Sequence, residues 1–170
     1  MFRTRRRPTK LRKLLPKLKP DITILQLGGN SWFTGNMEKG WPSVARNAHK
    51  VADLVRKYQS LCVWVTPSDH YYRPADSQDA FATFYEQTLV GKCAVFNSRP
   101  SHHPYLDYRK WVREKKLKKG QHDGIHYGWF KAQGREIQQR WAADIITMTQ
   151  AHWKAMRLDN PIQIPNLGAP

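Results

Sequence analysis

Asp123-Gly124-Ile125-His126, late in the chain, sets a carboxylate three residues before an imidazole. In a loop, such an aspartate turns back onto the Nδ1 hydrogen of the histidine and leaves Nε2 free to take a proton from an attacking hydroxyl. Far upstream, Gly28-Gly29-Asn30 follows an apolar run, Ile22 to Leu27. There the Asn30 side-chain amide and the Gly28 backbone can donate to the oxygen that gains charge when an ester carbonyl is attacked. Each motif also has a plain structural reading, because Gly-Gly makes a tight turn cheaply and Asp-Gly is a common turn pair. A nucleophile is not evident, and Ser31, the serine beside Asn30, is the candidate substitute.

Positioning these residues requires strands and helices in alternation. Ile22 to Leu27, bounded by Pro20 and Gly28, reads as a strand buried on both faces. Ser43 is placed to cap a helix over 44–59, with Val44, Ala48, Val51, Ala52 and Val55 on one face. Leu61 to Val65 and Ala94 to Phe96 read as further strands, separated by a helix from Asp76 or Ser77 with Phe81, Phe84, Tyr85 and Leu89 as its stripe. Residues 98–122 read as a loop with a charged helical turn, and a long helix follows from Trp129 to Met156, with Ile137, Trp141, Ile145 and Met148 toward the sheet. The pattern predicts an α/β domain, a three-layer sandwich with a mainly parallel sheet, over residues 20–158. A basic arm, 1–19, with Leu11, Leu14, Leu15 and Leu18 at helical spacing, precedes it, and an irregular tail, 159–170, follows. In such sheets ligands gather beyond the carboxyl ends of the strands, where Gly28 to Ser31, Thr66 to His70 and Ser98 to His103 all fall and which the Asp123 loop can reach.

The stretch Lys19 to Asn30 and the stretch Gln121 to Tyr127 resemble the third and fifth blocks of the SGNH (GDSL-like) hydrolase family, Gly-x-Asn-Asp after a strand and Asp-x-x-His before the last helix. The resemblance covers roughly residues 14 to 150. It implies the flavodoxin-like fold of that family and an esterase or acetylesterase chemistry, with His126 as base, Asp123 as its orienter, and Asn30 and Gly28 as oxyanion donors. Two positions depart from the family. Ser31 stands where an aspartate is usual, and the first block, Gly-Asp-Ser, has no counterpart upstream of Lys19. Either a separate segment or a partner chain completes the sheet and supplies the serine, or the reading frame is truncated, or the fold is remodelled and catalysis lost.

Twenty-nine Lys and Arg against thirteen Asp and Glu give a formal charge of +16. Such a field attracts anionic polymers, whether carbohydrate or nucleic acid, and the arm and residues 109–119 carry its densest parts. Two function classes follow: an ester hydrolase acting on an anionic carbohydrate polymer, and a catalytically inactive basic subunit that binds nucleic acid or protein in a larger assembly. Asp69, His70, His102, His103 and His122 have no zinc-like spacing, so neither metal nor cofactor is expected. Tyr71, Tyr72, Tyr105, Tyr108 and Trp111 are candidates for stacking on sugar rings or bases, or for covering the edge of the core. Cys62 and Cys93 are expected level on neighbouring strands, reduced and buried. No apolar run is long enough to span a membrane and no secretion signal is visible, which makes the cytoplasm the default compartment.

Overall fold

A computed structural model describes residues 7–27 and 37–159. Gly28, Asn30 and Ser31 lie outside the described residues, so the expected oxyanion donors and the substitute nucleophile have no described position. The described chain is α/β, built on a small parallel sheet of three strands: β1 (Ile22–Gln26), β2 (Leu61–Val65) and β3 (Ala94–Phe96), in that spatial order. Ile24 lies level with Val63, and Val63 with Ala94. The helices are α1 (Arg7–Leu18), α2 (Met37–Lys57), α3 (Ala75–Thr88), α4 (Tyr108–Glu114) and α5 (Lys131–Asp159), with short 3-10 turns at Pro104–Leu106 and Tyr127–Phe130.

Every residue of β2 is buried, as an apolar strand between two neighbours should be. Its pleat sends Cys62 and Trp64 to one face, against Ala52 and Val55 of α2 and Phe81 and Tyr85 of α3, with Leu15 of α1 in the same cluster. Leu61 and Val63 go to the other face, where Met148 and Trp153 of α5 pack. β1 departs from expectation: only Leu25 is buried, and Ile24 is 48% exposed. The reason is position, for the outer edge of β1 has no strand partner among the described residues.

Helix α2 begins at Met37, upstream of the expected Ser43 cap, and Pro42 lies inside it. Proline there forfeits one helical hydrogen bond. Trp41 offsets this by packing on the core, its ring 4.9 Å from that of Phe84. Helix α5 is longer than expected and divides its packing. Ile137 and Trp141 join Leu106, Tyr108 and Tyr127 in a second cluster, and only the later turns reach the sheet. Cys62 and Cys93 form a disulfide, with Cα atoms 4.5 Å apart, where reduced thiols were expected. They sit one step before the Val63–Ala94 pair, and that parallel register brings them within bonding range. No described helix is long and apolar enough to cross a membrane.

Candidate functional site

Asp123 and His126 lie on the loop between α4 and the Tyr127–Phe130 turn, and they do pair. One carboxylate oxygen of Asp123 accepts from the backbone N–H groups of Ile125 and His126, at 3.0 and 2.9 Å. The other oxygen is hydrogen-bonded to Nδ1 of His126. All three bonds are local, which is why a three-residue spacing suffices to build the pair. Burial pushes the Asp123 carboxyl up, but hydrogen bonds from the His126 backbone, its ring, the Ile125 backbone and the Trp129 side chain outweigh it and hold the group well below the usual carboxylate range. An ionised Asp123 fixes Nδ1 as the donor and leaves Nε2 as the acceptor a general base requires. The His126 side chain is 74% exposed, so a substrate can approach that nitrogen from solvent.

The loop after β2 holds this turn in place. Tyr71 N–H donates to the Gly124 carbonyl at 2.8 Å. Gly124 has φ +85°, and a Cβ there would stand 2.6 Å from the Tyr72 ring, so both the backbone shape and the contact call for glycine. Tyr72 stacks on His122, with centroids 5.7 Å apart and planes 9° from parallel, while Tyr71 meets the same imidazole edge-on at 4.9 Å. Tyr108 closes the cluster from below, and burial, with Asp123 nearby, pushes its phenol up to about 12. Of the aromatics expected to stack on a ligand, Tyr71, Tyr105, Tyr108 and Trp111 instead pack into or against the second core cluster. Tyr72 is half-exposed, and so is Trp129, which the sequence reading had assigned only to a helix start.

Beneath the loop lies a charge network the sequence does not advertise. Asp69, fully buried, accepts from Nη1 and Nη2 of Arg99, each at 3.3 Å, and from the backbone and guanidinium of Arg109. Arg99 is 2% exposed and also donates to Gln78 at 3.0 Å and Asp79 at 2.7 Å. Arg109 further donates to the carbonyls of His70 and Arg73, tying both ends of the Tyr71–Tyr72 segment to α4. It belongs to the basic run 109–119 expected to attract anionic polymers, yet it is a mostly buried anchor. Arg113, Lys115, Lys116, Lys118 and Lys119 of the same run are exposed.

A second imidazole–carboxylate contact, His103 Nδ1 to Asp144 at 3.4 Å, borders a cavity of about 500 Å³ beside β3. His103 lies flat on Phe96 at 4.5 Å, and Tyr105 donates to Asp144 at 2.6 Å. Burial lowers the His103 pKa more than Asp144 raises it. Among the described residues no group of His, Cys, Asp and Glu is arranged to hold a metal ion. No protein-family model, curated protein or solved structure matches the chain.

Proposed function

We propose that this chain is an SGNH-like domain that hydrolyses carboxylic esters, of the acetylesterase type, on an anionic carbohydrate polymer. The observation that carries the reading is the Asp123–His126 pair, preformed, oriented through Nδ1 and open to solvent. In the reaction, a serine hydroxyl passes its proton to Nε2 of His126 while its oxygen bonds to the acyl carbon. The tetrahedral oxyanion is held by Asn30 and the Gly28 backbone, and its collapse expels the sugar alkoxide, which takes the proton back from His126. Water then repeats the sequence on the acyl-serine and releases the carboxylic acid.

The serine is supplied either by Ser31 or by a strand from another segment or chain added beside β1. The outer edge of β1, unpaired among the described residues and carrying the half-exposed Ile24, supports the second source. A finer assignment of fold, the flavodoxin-like SGNH sandwich, rests on the same ground together with the helices packed on both faces of the sheet.

A rival reading, an inactive basic subunit that binds nucleic acid or protein, is supported by the exposure of Arg113, Lys115, Lys116, Lys118 and Lys119. A fluorophosphonate probe separates the two. Labelling that disappears in His126→Ala is the expected result, in the purified chain where Ser31 serves and in the chain joined to its completing strand where that strand supplies the serine. Absence of labelling, together with salt-sensitive binding of a polyanion, supports the rival instead.

A further inference from the structure

Helix α1 is set on the body by one side only. Leu15 is 2% exposed in the cluster around Cys62 and Trp64, and Leu11, one turn earlier, packs against that cluster. Leu14 and Leu18, also one turn apart, are left 47% and 64% exposed. Residues four apart on a helix stand side by side, so these two form one ridge. Lys10, a turn before Leu14, and Lys17, three residues after it, border the ridge, and both are exposed, as are Arg12, Lys13 and Lys19. No acid occurs between Arg7 and Pro20. None of these five cations is paired with an acid elsewhere among the described residues. A solvated helix face has no need of leucines there, and core packing does not use them.

We infer that α1 docks the protein on an anionic lipid surface, with Leu14 and Leu18 entering the acyl boundary and the bordering lysines held at the lipid phosphates. The charge calls for an anionic partner, and the leucines choose among anionic partners. Nucleic acid is contacted through its phosphates by cations alone, and exposed leucines add nothing to such contacts. A protein groove takes up a helix by a broad apolar stripe, but the inner part of this stripe, Leu11 and Leu15, is committed to the body. What remains is narrow and convex, a shape that the boundary of a bilayer accepts. Lysine suits the border, since its ammonium reaches the headgroups while its stem lies along apolar surface. The helix lies on the membrane rather than across it, because no described helix is long and apolar enough to span one. Only residues 19–21 separate α1 from β1, so docking the helix orients the sheet with it. This surface makes no use of the Asp123–His126 pair and stands apart from the hydrolase reading.

The test is sedimentation of the full chain with vesicles of phosphatidylcholine alone and of phosphatidylcholine mixed equally with phosphatidylglycerol. Binding to the mixed vesicles only is expected, weakening as salt is raised. Leu14→Gln with Leu18→Gln should weaken it about tenfold or more and leave the urea midpoint unchanged, because neither side chain belongs to the core. Lys10→Gln with Lys17→Gln should weaken it about thirtyfold. Depth is read with Leu14→Cys, which adds the one free thiol, since Cys62 and Cys93 are bonded to each other. A nitrobenzoxadiazole label there should brighten and shift to the blue on mixed vesicles, while the same label at Arg12→Cys, on the other flank of the helix, should not. Failure to bind mixed vesicles overturns the proposal. So does binding that the double leucine variant leaves intact and that single-stranded DNA of matched charge competes away, which makes α1 a general polyanion contact. Self-association lost in the leucine variant, without vesicle binding, assigns the ridge to a second copy and overturns it equally.

Discussion

Removing the Asp69 carboxylate is the sharpest test of how the dyad is held. Asp69 accepts four hydrogen bonds from two guanidiniums and a backbone amide, at a side chain with no solvent exposure. Adding four charge-assisted bonds at about 1.5–3 kcal/mol each would suggest about 6–12 kcal/mol, enough to unfold most domains. That sum overcounts. In Asp69→Ala, Arg99 keeps Gln78 and Asp79, and Arg109 keeps the His70 and Arg73 carbonyls. What remains is a buried cation short of its main counter-charge, for which about 3–5 kcal/mol is usual, and the retained partners place this case near 3. Urea unfolding followed by tryptophan fluorescence should show a lower midpoint at unchanged m-value. Amide exchange at Tyr71 and Gly124 should quicken beyond the global loss, since the segment that supports the loop is freed from α4. A loss under about 1 kcal/mol, or exchange at Tyr71 that merely follows global stability, would refute the claim that this network fixes the loop of Asp123 and His126.

Reducing Cys62–Cys93, or replacing both with alanine, opens a 31-residue loop and should cost about 3–4 kcal/mol by chain entropy, visible as a lower Tm in reductant. Gly124→Ala should cost about 1–2 kcal/mol in urea titration, because φ +85° disfavours a side chain and the new methyl meets the Tyr72 ring; an unchanged midpoint would mean that the turn is not under this constraint. Acid should loosen the dyad turn. The Asp123 carboxyl is depressed by the bonds it accepts, so its contribution is present above about pH 4 and is lost as pH falls through the lower folded value. Exchange of the Ile125 and His126 amides, read by NMR, should quicken on that descent, and Asp123→Asn should abolish the pH dependence.

The parts of the fold legible in the sequence are those fixed by short-range pattern. Leu61 to Val65 is apolar throughout because neighbours cover both faces, and Asp123 finds His126 because the turn closes on itself. The Ser43 cap was overrun because Trp41 packs on Phe84, a contact between distant residues that carries the helix upstream through Pro42. Arg99 gave no signal, since nothing in the residues around it announces a guanidinium 2% exposed; its partners come from the β2 loop and α3. The level placement of Cys62 and Cys93 was visible but their bond was not, because only the register of β2 on β3 brings the two sulfurs together. Trp129 was counted as the first residue of α5, whereas a 3-10 turn ahead of that helix keeps its ring at the loop.

The outer flank of β1, which has no strand partner among the described residues, makes this chain's association depend on salt. Amides and carbonyls without a ladder partner, around a half-exposed Ile24, are a template on which a strand from a second copy can add. With +16 on each copy, mutual repulsion holds such encounters off in dilute buffer. Raising ionic strength screens that repulsion and lets the edges meet, so the protein should be most soluble in dilute buffer.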